Sequence, residues 1–329
     1  MKLSAFTVVD AYEEGPDSDR DRYGDVIRLA EAADAAGLST FWVAEHHFQP
    51  GGVCPAPPVL LAACGARTRR VRLGVLVSVL PFHSPVELAE QYALLDCITG
   101  GRLNLGLGSG YIPLEFEGFG VDPGTKRERF DRNLETLLAA FDGREVRVDE
   151  PGAVPVRLNV RPVQRPHPPL WIAVQRREAI PFVAQRGASL ALVPYATVAN
   201  LAELGDQVRD FRAHRPAGRS SEVAVAVHLY AGERPERARA ALQRYLDARL
   251  RTQSVFFQEK VRRDAHRASA ESLEENGFAL FGSAAHVAER LQEYAAIGVD
   301  EVLGIFDFGG LDSVEAVRSV RELGAVFSR

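Results

Sequence analysis

Apolar positions along the chain change period many times, and the changes alternate in kind. Residues 3–9 are a short, mostly apolar run, and Val26, Leu29, Ala30 and Ala33 then recur at helical spacing before Gly37. Residues 40–44 form a second strand-like run. An Ala-rich helical stretch covers about 57–66, and residues 71–80 are nearly all apolar and β-branched up to Pro81, as in a strand buried on both faces. Ser84-Pro85 opens a helix carrying Leu88, Ala89, Tyr92 and Leu95 on one face. A fourth strand runs over 103–107, and Phe130, Leu134, Leu137, Leu138 and Phe141 line the next helix. The pattern breaks between Gly143 and Pro169, where Val146/Val148 and Val156/Leu158 can make a small hairpin outside the main fold. Strands resume at 170–174, 189–193, 223–229 and 301–306, with helices to about Gly187, near 198–213, from Ser283 and from Ser313. Residues 235–251 and 255–268 read as charged helices, followed by an irregular stretch to Gly282.

Strand–helix alternation requires a parallel sheet with right-handed crossovers, and eight such units close into a barrel. A doubly wound open sheet is the competitor, but Val8-Val9-Asp10 leads into no phosphate-binding glycines. The expected fold is therefore α/β, a (β/α)8 TIM barrel with insertions after strands 4 and 7. Residues 1–329 would form one domain.

Composition narrows the function. A net charge of −5 with no basic tract argues against nucleic acid and against an anionic membrane surface. There is no apolar run of membrane-spanning length and no signal pattern, so a cytoplasmic location is expected. Cys54, Cys64 and Cys97 have no metal-ligand spacing and read as small apolar residues.

Chemistry concentrates where the strands end. The run Thr40 to Phe48 starts as a strand and finishes in Glu45, His46 and His47, groups a buried strand has no use for. In a barrel they would share a rim with Pro81-Phe82-His83, Ser109, Tyr111, Gln175-Arg176-Arg177, Asp307 and Phe308. Zinc is the alternative for clustered histidines, but neighbours on an extended chain diverge, so metal is the weaker reading. The glycines of Gly106-x-Gly-x-Gly110 are either a tight turn or bare backbone against a flat ligand. Arg176-Arg177 is either a solvated pair or a phosphate site at a helix start, to which Gly282-Ser283 could add donors.

Several runs, in order over nearly the whole chain, resemble the bacterial-luciferase-like flavin monooxygenases. They include Phe41-Trp-Val-Ala-Glu-His-His-Phe48, Leu80-Pro81, Ala89-Glu90-Gln91, Gly101-Arg102, Gly106-x-Gly-x-Gly110, Phe119-Gly120-Val-Asp122, Gly282-Ser283 and Gly298-Val-Asp300. The resemblance implies a (β/α)8 barrel binding reduced FMN, supplied by a separate reductase, at the strand C-terminal rim. The flavin would react with O2 to a C4a-peroxide that oxygenates a small organic substrate. His46 takes the acid/base position, and a non-prolyl cis peptide is implied near Leu76-Val77. Luciferases carry a phosphate-binding arginine where this chain has Ser109, so the flavin phosphate is expected to be met by Gln175, Arg176 and Arg177 with Arg127. Leu76, Val77, Gly108, Ser109 and Gly110 would line the cofactor, and His47, Phe82, Tyr111, Trp171 and Phe308 the substrate pocket. Gly108 replaces the reactive luciferase cysteine, so light emission is not expected. Residues 255–281 would be a lid, and helices near 57–66 and 86–99 a homodimer interface. The alternatives are a deazaflavin-dependent hydride-transfer enzyme on the same barrel and a flavin-binding protein without catalysis.

Overall fold

A computed structural model describes residues 1–12, 16–49, 51–148, 152–252 and 269–327. Its strands are β1 (Lys2–Thr7), β2 (Thr40–Val43), β3 (Arg72–Val79), β4 (Leu103–Gly108), β5 (Leu170–Ala173), β6 (Ser189–Leu192), β7 (Val223–Ala231), β8 (Ala279–Gly282) and β9 (Glu301–Ile305). All pairings are parallel, and eight strands close a ring in the order β1-β2-β3-β4-β5-β6-β7-β9. The eight barrel strands are those expected from hydrophobic periodicity. β8 is the correction: 279–282 is a strand paired with the end of β7 outside the ring, and a short helix, Ala270–Glu275, precedes it. A four-residue run such as Ala-Leu-Phe-Gly is too short for periodicity to register. The second charged helix, expected over 255–268, lies outside the described residues, and so does most of the expected lid.

The helices that matter for the site are α1 (Pro16–Ala35), α2 (Pro57–Arg67), α3 (Pro85–Ile98), α4 (Pro113–Gly118), α5 (Lys126–Phe141), α6 (Ile180–Gln185), α7 (Pro194–Thr197), α8 (Leu201–His214) and α9 (Pro235–Thr252). Ser84 caps α3 and Asn200 caps α8 through their side chains. Among the described residues, the expected hairpin after α5 shows one antiparallel bridge, between Val146 and Val156. Cys54 and Cys64 are buried as expected, whereas Cys97 is exposed and donates to the Arg161 carbonyl.

The barrel is filled from its N-terminal end. Ser4 Oγ and Trp42 Nε1 both donate to buried Glu301, Ser4 Oγ accepts from the Thr40 amide, and Arg72 and Asn104 continue the polar layer to Thr40. Burial pushes the Glu301 carboxyl up, and the two donors act against that rise. The indoles of Trp42 and Trp171 stand edge to face, 5.5 Å between centroids. Gly74 makes room for them, since a Cβ there would lie 2.1 Å from Trp42 Cε3. With that end packed solid, ligands are left the rim at the strand C-terminal ends.

Candidate active site

β2 ends at Val43, and the next residues diverge in the alternating manner of extended backbone. Buried Glu45 is a hub: its Oε1 meets His47 Nε2 at 3.1 Å and His83 Nε2 at 2.8 Å, while Oε2 accepts from the Val79 amide at 3.2 Å. Burial alone would raise the Glu45 pKa, but hydrogen bonds and charge from His47 and His83 outweigh it and hold the group at about 2. Burial acts to lower the His83 pKa, yet Glu45 prevails and raises it.

His46 turns the other way. Its Nδ1 lies 3.0 Å from Glu115 Oε1, and the same oxygen accepts the His47 amide at 3.0 Å. Glu115, on α4, is 1% exposed. A carboxylate acceptor at this position favours the tautomer that carries its proton on Nδ1. The Tyr111 ring stands edge-on to His46, 6.3 Å between centroids.

From Tyr111 a chain of polar groups crosses the barrel mouth. Arg249 donates to Tyr111 Oη at 2.6 Å and to Tyr245 Oη at 2.7 Å, and Tyr245 meets Tyr195 at 3.2 Å. His228, fully buried on β7, packs against the rings of Tyr195, Tyr245 and Phe308, and neither of its ring nitrogens has a hydrogen-bond partner. Burial, followed by the Arg249 charge, holds the His228 pKa down at about 3, so the imidazole stays neutral. On the β1–β9 side, Arg22 bridges Asp10 and Asp307, and Thr7 donates to Asp307. Burial lifts Asp307 to about 6 in spite of Arg22.

The glycines of Gly106-x-Gly-x-Gly110, at the end of β4 and just beyond it, resolve into two classes. A Cβ on Gly106 would lie 2.3 Å from the Val75 carbonyl oxygen, and one on Gly108 2.5 Å from Val77 Cγ2, so close strand approach explains both. Only Gly110, at φ +76°, needs the left-handed conformation. The Leu76–Val77 peptide is cis, where the resemblance implies one. The Glu45 amide is 3.4 Å from the Val77 carbonyl, which brings Leu76, Val77, Gly108 and the His46 loop together.

The other expected residues divide. Phe82 packs near His47 and stacks on Phe119, Trp171 lies deeper against Trp42, and Phe308 stands against His228 and Phe281. Ser109 and Gly110 are half-buried just past β4, and Gln175 and Arg176, just past β5, are both exposed. Arg127 is ion-paired with Asp131 and lies over Phe182, and exposed Arg177 is paired with Asp210. Ser283 spends its hydroxyl capping its own helix. The sequence reading missed Glu115, Arg249 and His228, none of which carries a local motif.

Among the described residues, Glu45, His47 and His83 are the group whose ligand atoms, all within 4.8 Å of one another, could hold a metal ion. His46 and His47 do diverge as argued from sequence; it is Glu45 that gathers His47 and His83 onto one carboxylate oxygen.

The model of the family described as luciferase-like monooxygenase matches residues 1–301. The chain belongs to that family. Among luciferase-like relatives, the oxygenase component of flavin-dependent trigonelline monooxygenase from Acinetobacter baylyi is 25% identical over 333 residues, covering 94% of this chain and 90% of that one. The match to uncharacterized protein y4wF of Sinorhizobium fredii, 39% identical over 196 residues, covers 59% of this chain and 57% of that protein. Monooxygenase RslO1 from Streptomyces bottropensis superposes with a TM-score of 0.84 at 26% identity, covering 99% and 98% of the two chains. The oxygenating constituent of 3,6-diketocamphane monooxygenase from Pseudomonas putida, in complex with FMN, shares the fold at a TM-score of 0.81 and 18% identity, over 98% and 97%. The protein is thus a member of the luciferase-like monooxygenase family, built on a (β/α)8 barrel.

Proposed function

We propose that this protein is the oxygenase of a two-component system, taking reduced FMN from a separate reductase and oxygenating a small, largely apolar organic substrate. The observation that carries the proposal is the pair Glu115–His46 at the barrel mouth, a buried carboxylate fixing an imidazole within reach of the half-buried Ser109–Gly110–Tyr111 backbone. The donor set suits FMN: part-exposed backbone for a flat ring system and two cations that have no carboxylate partner among the described residues, Lys126 and Arg176, for a phosphate. When bound, the reduced flavin supplies the activation of O2.

The chain's own residues supply position and protons. Glu115 holds His46 so that Nε2 can take or deliver a proton at the reacting centre. Tyr111, with its hydroxyl tied to Arg249, forms one wall beside that imidazole. Phe82 and Phe308 offer apolar rings, and the deeply placed Trp171 closes the floor. Oxygenase naming in the trigonelline relative supports a partner reductase. Among the described residues no helix is long and apolar enough to cross a membrane, and a cytoplasmic homodimer is part of the proposal.

The deciding experiment titrates the purified protein with reduced FMN and, separately, with a reduced deazaflavin, then follows O2 uptake. FMN binding with O2 consumption is expected. Binding of the deazaflavin alone, without O2 consumption, would replace this reading by hydride transfer.

A further inference from the structure

We propose that His228 is the residue by which this protein selects its substrate, and that the substrate presents a hydroxyl on a flat, aromatic ring. The inference rests on the flavin reading above and names the substrate class of the same barrel mouth. Its direction comes from the register of β7. Ala224 pairs with Glu301, and His228 pairs with Ile305; the Glu301 carboxylate meets Ser4 and Trp42 inside the barrel. Alternate residues of a strand share a face, so Ala224, Ala226 and His228 all point inward. His228 therefore stands above the Glu301 layer, toward the strand C-terminal ends. The rings around it belong to that end too: Tyr195 on α7 at 5.4 Å, Tyr245 on α9 at 5.2 Å and Phe308 beyond β9 at 5.1 Å, between centroids.

Buried polar groups are nearly always hydrogen-bonded, and His228 is 0% exposed with both ring nitrogens unmatched among the described residues. A Phe would fill the same aromatic collar without that penalty. Burial, then the Arg249 charge, keeps the imidazole neutral, so it presents one N–H and one lone pair. The phenols beside it carry a matching surplus. Tyr245 Oη accepts from Arg249 and lies 3.2 Å from Tyr195 Oη. One of the two phenolic protons serves that contact, and the other has no acceptor among the described residues. A hydroxyl complements both groups, donating to the ring nitrogen and accepting from the tyrosine. A carbonyl, an ether or a carboxylate only accepts, and leaves the imidazole lone pair unmatched. Tyr195, Tyr245 and Phe308, the last stacked on Phe281, offer edges and faces that reward an aromatic ring. Access to the imidazole goes past Tyr195, which is carried on the four-residue α7.

The probe is 2-naphthol, compared with 2-methoxynaphthalene, which cannot donate, and 2-naphthoate, which only accepts. Each is titrated by calorimetry, with FMN present, into wild type, His228→Phe, His228→Gln and Tyr195→Phe, after FMN has been titrated into each protein alone. Wild type should favour the naphthol over the other two by about tenfold, the worth of one buried hydrogen bond. His228→Phe should lose that preference and, without a probe, melt at a higher temperature, because an unmatched buried imidazole is gone. His228→Gln, which keeps a donor and an acceptor, should regain part of the preference, and Tyr195→Phe should weaken the naphthol severalfold. Wild type that binds none of the three, treats them alike or prefers the naphthoate would overturn the assignment, as would a folded His228→Phe that keeps the preference. The flavin reading would survive any of these, since FMN binding is read separately. Naphthol discrimination through His228 in a protein that takes up no FMN would uphold the substrate class and overturn the flavin reading.

Discussion

Glu115 Oε1 lies 3.0 Å from His46 Nδ1, and this carboxylate is buried on a six-residue helix inserted after β4. The proposed acid/base group of one loop is thereby oriented by the next loop but one. Glu115→Gln can donate but no longer draws a proton onto Nδ1, so the imidazole loses its fixed tautomer. Product formed per reduced FMN should fall about 10- to 100-fold, the usual effect of losing a supporting carboxylate. Flavin affinity should be unchanged; a variant with wild-type yield would show that orientation of His46 is immaterial.

Removing the imidazole itself should do more. His46→Ala is expected to slow oxygenation by about 10²- to 10⁴-fold and divert O2 into hydrogen peroxide, measured with a peroxidase assay. Unchanged turnover and coupling would take His46 out of the mechanism.

The Glu45 hub gives a stability prediction with a defined sign. The His83 pKa is raised in the folded protein, so its contribution is fully present below the unfolded value near 6.5 and is lost as pH rises through the folded value. The Glu45 pKa is depressed to about 2, so its share is present above the unfolded value near 4.3 and disappears as pH falls toward 2. The Tm difference between wild type and His83→Gln should therefore be largest between about pH 4.5 and 6.5 and shrink on both sides. Calorimetry across that range checks it, and a flat difference would contradict the pairing.

Gly106→Ala should destabilise by about 3 kcal/mol or more, because the added methyl meets backbone rather than a side chain that can turn away. Gly100→Ala meets nothing within 4 Å, and its penalty should come only from its φ of +66°. Urea unfolding of the two variants separates crowding from conformation.

Leu94 and Ile98 on α3 are more than half exposed, and Val59 on α2 is 71% exposed. These side chains suit the proposed homodimer face. Leu94→Asp with Ile98→Asp should convert a dimer to monomer in light-scattering chromatography; an unaltered mass would place the interface elsewhere.

Legibility followed the range of the interactions. The eight barrel strands were readable because a strand buried on both faces leaves an unbroken apolar run, as residues 71–80 do. His46 was readable because a polar triplet terminates such a run. Glu115 and Arg249 were not, since one sits in Pro-Leu-Glu-Phe and the other in a charged helix, where a solvated role is the ordinary expectation. Only the tertiary fold turns them inward. Arg127 and Arg177 show the converse: local sequence presents them as free cations, whereas Asp131 and Asp210 engage them.

Three consecutive residues, Glu45, His46 and His47, tie the loops after β2, β3 and β4 to one another through His83, Val79 and Glu115. That half of the mouth is a single braced arch. The opposite half is built by Tyr195 on α7, His228 on β7 and Arg249 on α9, and its link to the arch is the Arg249–Tyr111 hydrogen bond rather than Glu45. Sequence change there can reshape what enters the barrel while the arch, and the imidazole it carries, keeps its form. Libraries aimed at new substrates belong on that far side.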